Sequence, residues 1–446
     1  MKVSLIVPDF LSGTSFLQQP IDFLYASTKL NEYGFETEVI DCRVNHLSFS
    51  HLIALLKKTD LAIVTTTPCD QVQNYFLDYR YAYAVNTINY IKANIPNLPV
   101  AVCGAHVSVR PDLVLKEIKC DYYIKGEITI TALQLAMALS CQCDITEVPN
   151  IIRVLEGEVI ENAYNADYYH PVLSDDVFPD YSKVPMQSYF GVKYENNIPI
   201  RRLKRAVVQS GRGCPYNCIF CHNYYGKIIR RRSAEAVATE LAICQYRHGI
   251  EEIFFLDEVF TIDKKWLSDL ALEMEKKQIR LELTVQTRVD HIDEDVLFIL
   301  KKMGVKNIWL GVESANDDIL LASKKGIQLS MTIDAIQKIR KTGINPNAFF
   351  MLGMPGETVD TLNSTIEEIY RHKIPYTRSL MICTPRYDTP LYELAKKQYP
   401  IVEDHWFNLN AVKGLVCNEM TPTILQKAKS ILKDREFLYR TKCPKI

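Results

Sequence analysis

The sequence predicts an α/β protein in which two sets of parallel strands follow one another along the chain. In the first 140 residues, five short apolar stretches alternate with helical stretches, and from residue 206 the same alternation produces six strand–helix units. Such alternation is typical of parallel sheets covered by helices. A proline followed by an amphipathic pattern near the C-terminus adds a last helix. We therefore expect a doubly wound sheet, a partial (β/α)6 barrel and a short helical C-terminal cap.

Composition and charge indicate an ordinary globular chain. Its 446 residues are 48% apolar and 24% charged, which suffices for two or three domains with full cores. The net charge of −1 lacks the basic excess of nucleic-acid-binding proteins. No apolar run approaches the ~20 residues that span a bilayer, and the run at 3–8 is too short for a signal peptide. We expect a cytoplasmic protein without nucleic-acid or membrane partners, whose 13 cysteines are mostly reduced core residues.

The first unit contains five predicted strands, at residues 3–8, 36–42, 61–67, 100–103 and 122–125. Ligands of such sheets bind beyond the carboxyl ends of the strands, where the connecting loops gather. Those loops are residues 8–20, 65–68, 104–108 and 126–127. No G-x-G-x-x-G follows the first strand, so a nicotinamide or flavin dinucleotide is not expected.

The stretch between the two units is expected to be a connector. Residues 173–189 carry Pro179, Pro185 and several acidic residues without helical or strand period, which is typical of an extended segment on a surface. We predict a first domain at 1–145, a linker at 146–200, a barrel at 201–385 and a C-terminal cap at 386–446.

Three cysteines follow the first strand of the second unit at C-x-x-x-C-x-x-C spacing, namely Cys214, Cys218 and Cys221. Thiolates on one tight loop can each bind a different iron of a four-iron four-sulfur cluster, and the missing fourth cysteine leaves one iron open. Zinc is the alternative, but a structural zinc site needs four ligands, and only His222 is adjacent. An odd number of cysteines fits disulfides poorly. The spacing therefore favours an iron–sulfur cluster with one iron free to bind and reduce a ligand.

The second unit has six predicted strands, at residues 206–209, 252–256, 282–286, 307–312, 348–352 and 377–382. Six parallel strands predict a partial barrel, with its chemistry at the C-terminal strand ends. A polar or glycine-rich group follows every strand: the cysteine loop, Asp257-Glu258, 286–288, Glu313-Ser314, 353–357 and 385–387. We expect this ring of loops to face one cavity.

Two basic runs bracket the cysteine loop, at residues 201–205 and 230–232. Such runs are usually solvated faces, and Ser233 can cap the helix that follows the second run. Alternatively, the arginines attract an anionic substrate or the phosphate of a cofactor. Towards the C-terminus, Thr421-Pro422 begins an amphipathic helix at 424–435, and Trp406-Phe407 either fills a core or touches substrate.

The cysteine loop, with Phe220 just before the third cysteine, resembles the signature loop of the radical S-adenosylmethionine (SAM) enzymes. In that family the open iron binds the amino-acid end of SAM. Asp257 and Glu258 would then suit the SAM ammonium, and the planar fork of Arg288 would suit its carboxylate.

The remaining strand ends complete this assignment. Glu313 and Ser314 would bind the ribose hydroxyls, and the resemblance implies adenine contacts from the backbone of Phe220, Gly353 and Gly356. Any one of these residues could instead be a helix cap or a surface ion pair. Their succession at consecutive strand ends favours a SAM site.

The first unit resembles the cobalamin-binding domain at the N-terminus of one large class of radical SAM enzymes. There, glycines and small hydroxyl residues let the backbone approach the corrin and its nucleotide tail. The matching positions are Pro8, Thr66, Thr67, Gly104, His106, Gly126 and Glu127. The D-x-H-x-x-G motif that supplies an axial histidine elsewhere is absent, so cobalt would take no histidine from the protein. A domain that keeps the fold and binds nothing is the alternative.

The resemblance as a whole implies a cobalamin-dependent radical SAM methyltransferase. The reduced cluster would cleave SAM to a 5′-deoxyadenosyl radical, and the substrate radical would take a methyl group from methylcobalamin onto an unactivated carbon or a phosphinate phosphorus. The implied cofactors are a 4Fe-4S cluster, SAM and cobalamin, and the implied partners are a small-molecule or peptide substrate and an electron donor such as flavodoxin or ferredoxin. Two alternatives remain: a ring closure, ring contraction or other rearrangement with the same cofactors, and a cluster- and cobalamin-binding sensor without turnover.

Overall fold

The computed structural model has two large sheets in succession, which confirms the predicted α/β fold. It describes residues 1–9, 17–44, 46–67, 78–195, 198–376, 380–398 and 422–434, and the structural statements below concern these residues. Pro68, Trp406-Phe407, Thr421, Arg435 and the first part of the predicted strand 377–382 lie outside them.

The first sheet contains the five predicted strands. They are β1 (Lys2–Val7), β2 (Glu36–Asp41), β3 (Leu61–Thr65), β4 (Val100–Cys103) and β5 (Tyr122–Ile124). All five run parallel, in the spatial order β2-β1-β3-β4-β5. The chain order reverses between β1 and β3, and ligands of doubly wound sheets bind at the carboxyl edge beside such a reversal.

Two further strands extend this sheet beyond the predicted boundary at residue 145. β6 (Ile151–Leu155) pairs antiparallel with β5, and β7 (Glu158–Glu161) pairs antiparallel with β6. These residues therefore belong to the first sheet, although the sequence predicts them as linker. β7 is short and mostly exposed, so no apolar alternation marks it.

Helices cover both faces of the first sheet. They are α1 (Ile21–Glu32), α2 (Phe49–Leu56), α3 (Asp78–Asn94), α4 (Ala105–Val109), α5 (Pro111–Glu117) and α6 (Ile128–Leu139). Successive residues of β1 point to opposite faces. Leu5 packs with α1 and α6, and Ile6 packs with α2 and α3. The cluster that contains α1 and α6 continues without a break into the core of the barrel.

The connector between the two sheets consists of short helices and a β-hairpin. It contains α7 (Ala166–Tyr169), 3-10 turns at Tyr181–Lys183 and Met186–Tyr189, and the antiparallel pair β8 (Gly191–Glu195) and β9 (Ile198–Leu203). Tyr181 and Tyr189 are fully buried, so the connector contributes to the core as well as joining the sheets.

The second sheet is an open half-barrel of six parallel strands. Its order is β10 (Arg205–Val208), β13 (Glu252–Phe255), β14 (Glu282–Arg288), β15 (Val305–Glu313), β16 (Asn345–Leu352) and β17 (Met381–Ile382). A small antiparallel pair, β11 (Gly211–Arg212) and β12 (Arg230–Arg231), stands between β10 and β13 in the chain. This hairpin encloses the three cysteines.

The barrel helices are α8 (Ala234–His248), α9 (Lys264–Lys276), α10 (Glu294–Lys302), α11 (Asp317–Ala322), α12 (Leu329–Thr342) and α13 (Val359–Arg371). Ser233 caps α8, as predicted, because its hydroxyl accepts a hydrogen bond from the Ala236 N–H. The cap provides α14 (Pro390–Gln398) and α15 (Pro422–Lys433). No helix within the described ranges combines the length and apolar character needed to cross a membrane.

Candidate cofactor-binding site

The cysteine loop is shaped by a tight approach of its own backbone. Gly213 has φ of +97°, and a Cβ atom there would lie 2.2 Å from the carbonyl oxygen of Ile228. The N–H of Cys214 donates to the carbonyl of Gly226 at 3.1 Å, and the Asn223 side chain donates to the Cys214 carbonyl. These bonds hold the start and end of the loop together.

Backbone contacts from two other elements hold the middle of the loop. The Ile219 N–H donates to the carbonyl of Ser323, just after α11, at 3.0 Å. The Leu391 N–H of α14 donates to the Ile219 carbonyl, also at 3.0 Å. The adjacent Phe220 is buried. The loop is therefore attached to the barrel on one side and to the cap on the other.

All three cysteines of the loop are free thiols. Cys214 and Cys218 are half-buried and Cys221 is exposed. Across the described parts of the chain, no three His, Cys, Asp or Glu side chains converge closely enough to hold a single metal ion. A cubane cluster does not need such convergence, because each thiolate binds a different iron. The donor set of three thiols on one loop fits that group.

Two cations lie beside Cys218. A guanidinium nitrogen of Arg288 is 3.9 Å from the Cys218 sulfur, and Lys325 is buried nearby with its ammonium 2.9 Å from Glu313. Burial alone would lower the pKa of Lys325, but Glu313 and Cys218 together raise it above its ordinary value. Fixed positive charge at this point would stabilise the negative charge of a thiolate-bound cluster.

The fork of Arg288 is occupied by a carboxylate of the protein. Its Nε and Nη2 donate to the two oxygens of Asp290 at 2.9 Å each, and Nη2 also donates to the Lys325 carbonyl at 2.7 Å. The guanidinium lies 3.7 Å above the centre of the Tyr216 ring. Asp290 therefore positions Arg288 at the loop, while the Nη1 side faces Cys218.

Asp257 and Glu258, predicted to act together, have different surroundings. Asp257 is buried, accepts hydrogen bonds from the Ser210 N–H and hydroxyl, and lies 3.7 Å from Arg231. Glu258 Oε2 is buried and has no hydrogen-bond partner among the described residues. Burial, with a contribution from Asp257, raises the pKa of Glu258 to about 7. Glu258 therefore retains a carboxylate oxygen for a ligand, whereas both oxygens of Asp257 are engaged.

The predicted ribose residues lie at the end of β15. Glu313 has φ of +70°, unusual for a residue with a side chain, and pairs with Lys325. Ser314 is buried, its hydroxyl 3.3 Å from that of Thr365 and 3.2 Å from the Asn316 N–H. Both residues are thus held by the barrel itself.

The glycine loop after β16 is closed by its own glutamate. Gly353 and Gly356 both have φ near +80°, and the Gly353 N–H donates to the Glu357 carboxylate. Burial raises the pKa of Glu357 to about 7. This hydrogen bond fixes the loop at the strand end. The two glycines, which have positive φ and no side chain, keep their backbone accessible.

A cavity with an empty volume of about 450 Å³ lies at the carboxyl edge of the first sheet. Its wall includes Thr67, Gly104, Gly126 and Glu127 from the predicted set. Gly104 has φ of +116°, and a Cβ atom there would lie 2.5 Å from the Thr66 hydroxyl and 2.8 Å from the Thr67 hydroxyl. The absence of a side chain at Gly104 is what lets the two threonines reach this edge.

The other predicted residues of this edge support the threonines or end a strand. His106 is buried, with Nδ1 3.1 Å from the Thr66 hydroxyl and 3.4 Å from the Thr67 hydroxyl, and its ring packs against Tyr81. Pro8 follows β1 directly and is buried. His106 therefore orients the hydroxyls of Thr66 and Thr67 and does not itself line the cavity.

Glu127 is the centre of a buried ion cluster. Its carboxylate accepts from Arg212 of β11 and Arg230 of β12 and lies 3.1 Å from Nδ1 of His170. Arg212 also pairs with Asp22 of α1 at 2.6 Å. Burial alone would raise the pKa of Glu127, but the two guanidinium groups and His170 hold it at about 2. The cluster ties the cysteine hairpin to the first sheet.

The two regions also meet through Tyr224, three residues after Cys221. Its hydroxyl donates to the Gly126 carbonyl at 2.7 Å, and its side chain lines the cavity of the first sheet. Gly126 itself is required by close packing, since a Cβ there would lie 2.7 Å from the Tyr169 carbonyl oxygen. The end of the cysteine loop is thus part of the cavity wall.

Several residues of this arrangement are not predictable from the sequence. Arg212, Tyr224 and Lys325 carry no local motif, and their roles depend on contacts that only the fold creates. The second basic run is largely internal rather than a solvated face. Its arginines face Glu127, Asp257 and Glu240 in turn. A run of arginines in which successive side chains point in different directions only weakly indicates internal ion pairs.

Comparison with known proteins agrees with this geometry. The model of the radical SAM superfamily matches residues 208–369. An uncharacterized methyltransferase of Pyrococcus horikoshii is 29% identical over 444 residues, covering 96% of this chain and 91% of the relative. An anaerobic magnesium-protoporphyrin IX monomethyl ester cyclase of Cereibacter sphaeroides is 24% identical, covering 92% of this chain and 66% of the relative.

Among solved structures, that of the radical SAM methyltransferase TsrM from Kitasatospora setae, with tryptophan and a SAM analogue bound, superimposes with a TM-score of 0.71. The identity is 20%, over 89% of this chain and 76% of that chain. This likeness extends across both sheets, well beyond the residues that the family model matches. The chain therefore carries a radical SAM domain at residues 208–369, and it shares its overall fold with solved radical SAM enzymes that bind cobalamin.

Proposed function

We propose that the chain is a cobalamin-dependent radical SAM methyltransferase that acts on an unactivated carbon or a phosphinate phosphorus of a small molecule. The observation that carries this proposal is the position of Tyr224, which follows the cysteine loop directly and lines the cavity of the first sheet. A cluster on the loop and a corrin at the sheet edge would therefore be neighbours. The substrate would have to reach both the radical formed from SAM and the methyl group of the corrin, which requires such proximity.

In this proposal the protein binds the cofactors and places charged side chains beside them. Cys214, Cys218 and Cys221 bind the cluster, with Arg288 and Lys325 beside it. When bound, the cluster supplies an electron to SAM, drawn from a donor such as flavodoxin or ferredoxin, and cobalamin supplies the methyl group. The unpartnered oxygen of Glu258 binds the SAM ammonium. Asp257 instead positions the backbone at Ser210, from which it accepts a hydrogen bond.

The other proposed contacts follow from the strand ends. The glycine loop after β16 offers backbone to the adenine through Gly353 and Gly356, as does Phe220. Glu313 and Ser314 lie at the ribose position, where Lys325 and Thr365 hold them. At the first sheet, Thr66, Thr67 and Gly104 form the surface that approaches the corrin. Both oxygens of Glu127 are taken by cations, so a corrin contact at that position comes from the backbone.

A rearrangement such as ring closure is the second candidate, because the cyclase of Cereibacter sphaeroides matches nearly the whole chain. The products distinguish the two. Methylation consumes SAM twice per turnover and releases S-adenosylhomocysteine and 5′-deoxyadenosine together, whereas a rearrangement releases 5′-deoxyadenosine alone. A sensor without turnover would form neither product.

The test begins with anaerobic reconstitution of the full chain with iron, sulfide and hydroxocobalamin. We expect about four irons and about one corrin per chain. With dithionite and SAM, the loaded protein should form methylcobalamin and S-adenosylhomocysteine and, more slowly, 5′-deoxyadenosine. Bound zinc in place of iron, or 5′-deoxyadenosine without any S-adenosylhomocysteine, would overturn the methyltransferase proposal.

Substitution of the cysteines separates the two cofactors. The triple variant Cys214→Ala, Cys218→Ala, Cys221→Ala should lose the iron and retain most of the corrin. Cys141→Ala removes an exposed cysteine elsewhere and should retain both. Equal loss of iron in the two variants would show that the loop is not the cluster site.

A further inference from the structure

A second groove, with an empty volume of about 630 Å³, lies on the outer side of the Glu127 ion cluster. Its walls come from α1, from the first turn of α6 and from the connector at 171–177. Arg212 lines this groove, whereas its partners Asp22 and Glu127 line the cavity at the sheet edge. The ion pairs therefore separate the groove from the proposed cofactor cavity.

The groove has apolar walls and a polar inner end, whose arginines pair with carboxylates outside the groove. Tyr25, Ile130, Leu173 and Val177 form apolar walls, and Val172 at the mouth is 89% exposed. The inner end is formed by side chains that are almost fully buried, Gln209 and Arg232 at 2% exposure each. Three cations and no carboxylate line the groove within the described chain: Lys29, Arg212 and Arg232.

Arg232 presents an unused binding edge. Its Nη1 contacts Glu240 and donates to the Tyr25 hydroxyl at 2.7 Å, but its Nε and Nη2 have no hydrogen-bond partner among the residues that the structure describes. Nε and Nη2 form the side of a guanidinium that holds a carboxylate with two parallel bonds. A buried donor pair without an acceptor is costly unless a ligand supplies one.

Other arginines of this chain show what that edge binds. Arg43, Arg110, Arg205 and Arg288 each direct Nε and Nη2 at the carboxylate of an Asp or a Glu. Arg232 lines an apolar groove and has the same edge without the carboxylate. The N-terminus of α6, which has no side-chain cap, opens on the same groove at Thr129 and Ile130 and adds partial positive charge.

We propose that this groove binds an amphipathic carboxylate, separate from the SAM and corrin sites. The carboxylate head takes the Nε–Nη2 edge of Arg232, and the apolar body lies between Tyr25, Ile130 and Leu173, with its far end at Val172. The ligand also contacts Arg212, and so lies against the ion pairs that hold the cysteine hairpin. The proposal rests on the groove itself and does not depend on the proposed methyl transfer.

The test uses decanoate as probe and decanol as its uncharged match, each titrated calorimetrically into the reconstituted full chain. Decanoate should bind saturably and at least about tenfold more tightly than decanol, because charge-assisted hydrogen bonds add to the apolar contact. Equal affinity for the two, or no saturable binding of decanoate, would overturn the proposal.

Two variants locate the binding. Arg232→Lys keeps the charge beside Glu240 but loses the fork, and it should weaken decanoate about tenfold without changing decanol. Val172→Asp places a like charge at the mouth and should weaken decanoate about threefold. Val159→Asp is the matched control, at a 57% exposed valine on β7 that does not line the groove. Decanoate binding that neither Arg232→Lys nor Val172→Asp alters would place the probe elsewhere. Circular dichroism identifies a misfolded Arg232→Lys, in which case Val172→Asp decides.

Discussion

Gly213 determines whether the cysteine loop can form. Any Cβ at this position meets the Ile228 carbonyl at 2.2 Å, and φ of +97° is strained for a residue with a side chain. Gly213→Ala should therefore displace the loop and reduce the iron bound after reconstitution from about four to below one per chain. Iron and sulfide assays measure this.

The control for Gly213 is Gly157→Ala. Gly157 has φ of +88°, but a Cβ atom there would have no other atom within 4 Å, so this variant tests backbone strain without a clash. Full iron content in Gly157→Ala and loss in Gly213→Ala is the expected pair of results. If Gly213→Ala kept its iron, the approach of Ile228 would not matter for the site.

Gly104 has the corresponding role at the edge of the first sheet. Gly104→Ala would push the hydroxyls of Thr66 and Thr67 away from the cavity, so corrin retained after desalting should fall at least about tenfold, while iron content stays unchanged. Gly34→Ala, with φ of +83° in open space, should retain corrin. Similar retention in both variants would remove Gly104 from the corrin surface.

Local spacing identified the cysteines because all three lie within eight residues, and the strand-end positions followed from the alternation of elements. The partners of these residues were not predictable in that way. Glu127 and Arg212 are 85 positions apart, and the Glu313–Lys325 pair joins a strand end to a loop beyond α11. The same limit explains why Asp257 and Glu258 look equivalent in the sequence and differ in the fold.

At the scale of elements, the hairpin of β11 and β12 depends on a residue that is distant in the chain. Glu127 neutralises one arginine on each of its strands. Glu127→Gln would leave the buried Arg212 and the half-buried Arg230 without that charge, which should lower the free energy of unfolding by about 3–5 kcal/mol at pH 7. Urea unfolding of the apoprotein, followed by circular dichroism, measures the difference.

The pH dependence of this difference has a definite sign. The pKa of Glu127 is held at about 2, below its ordinary value of 4.5, so its ionised form stabilises the fold above that ordinary value. The gap between the natural chain and Glu127→Gln should be constant from about pH 7 to 5 and shrink below it. Glu161→Gln, at an exposed pair with Lys125, should cost less than about 1 kcal/mol. A gap that matched this control, or that grew on acidification, would contradict the role of Glu127.

The sequence predicts the strands correctly where each is an apolar run of a parallel sheet, as in β1 to β5. The antiparallel pair β6 and β7 was not predicted, because β7 is a four-residue edge strand with charged ends. The pair β8 and β9 was not predicted either, because prolines and acidic residues there indicated a connector. Edge strands need few apolar residues, since only one side of the strand is paired.

At the scale of the molecule, the two sheets share one core. Glu240 of α8 is fully buried, pairs with Arg232, and lies 3.0 Å from the hydroxyls of both Tyr25 of α1 and Tyr181 of the connector. Phe178 packs on the same guanidinium. Residues 178–181 of the connector are thus part of the joint between the sheets.

This shared core predicts that the chain unfolds as one unit. All three tryptophans follow residue 206, so their fluorescence reports on the second half of the chain, whereas the reactivity of the buried thiols Cys42 and Cys103 reports on the first sheet. Both probes should change at the same urea concentration.

Glu240→Gln should lower both midpoints together, by about 3 kcal/mol in free energy, because Arg232 loses its buried counter-charge. Glu235→Gln, on the exposed first turn of the same helix, should leave both midpoints unchanged. Separate midpoints in the natural chain, or a shift of the tryptophan signal alone in Glu240→Gln, would mean that the sheets are independent and that the cluster and corrin sites are not held at a fixed separation.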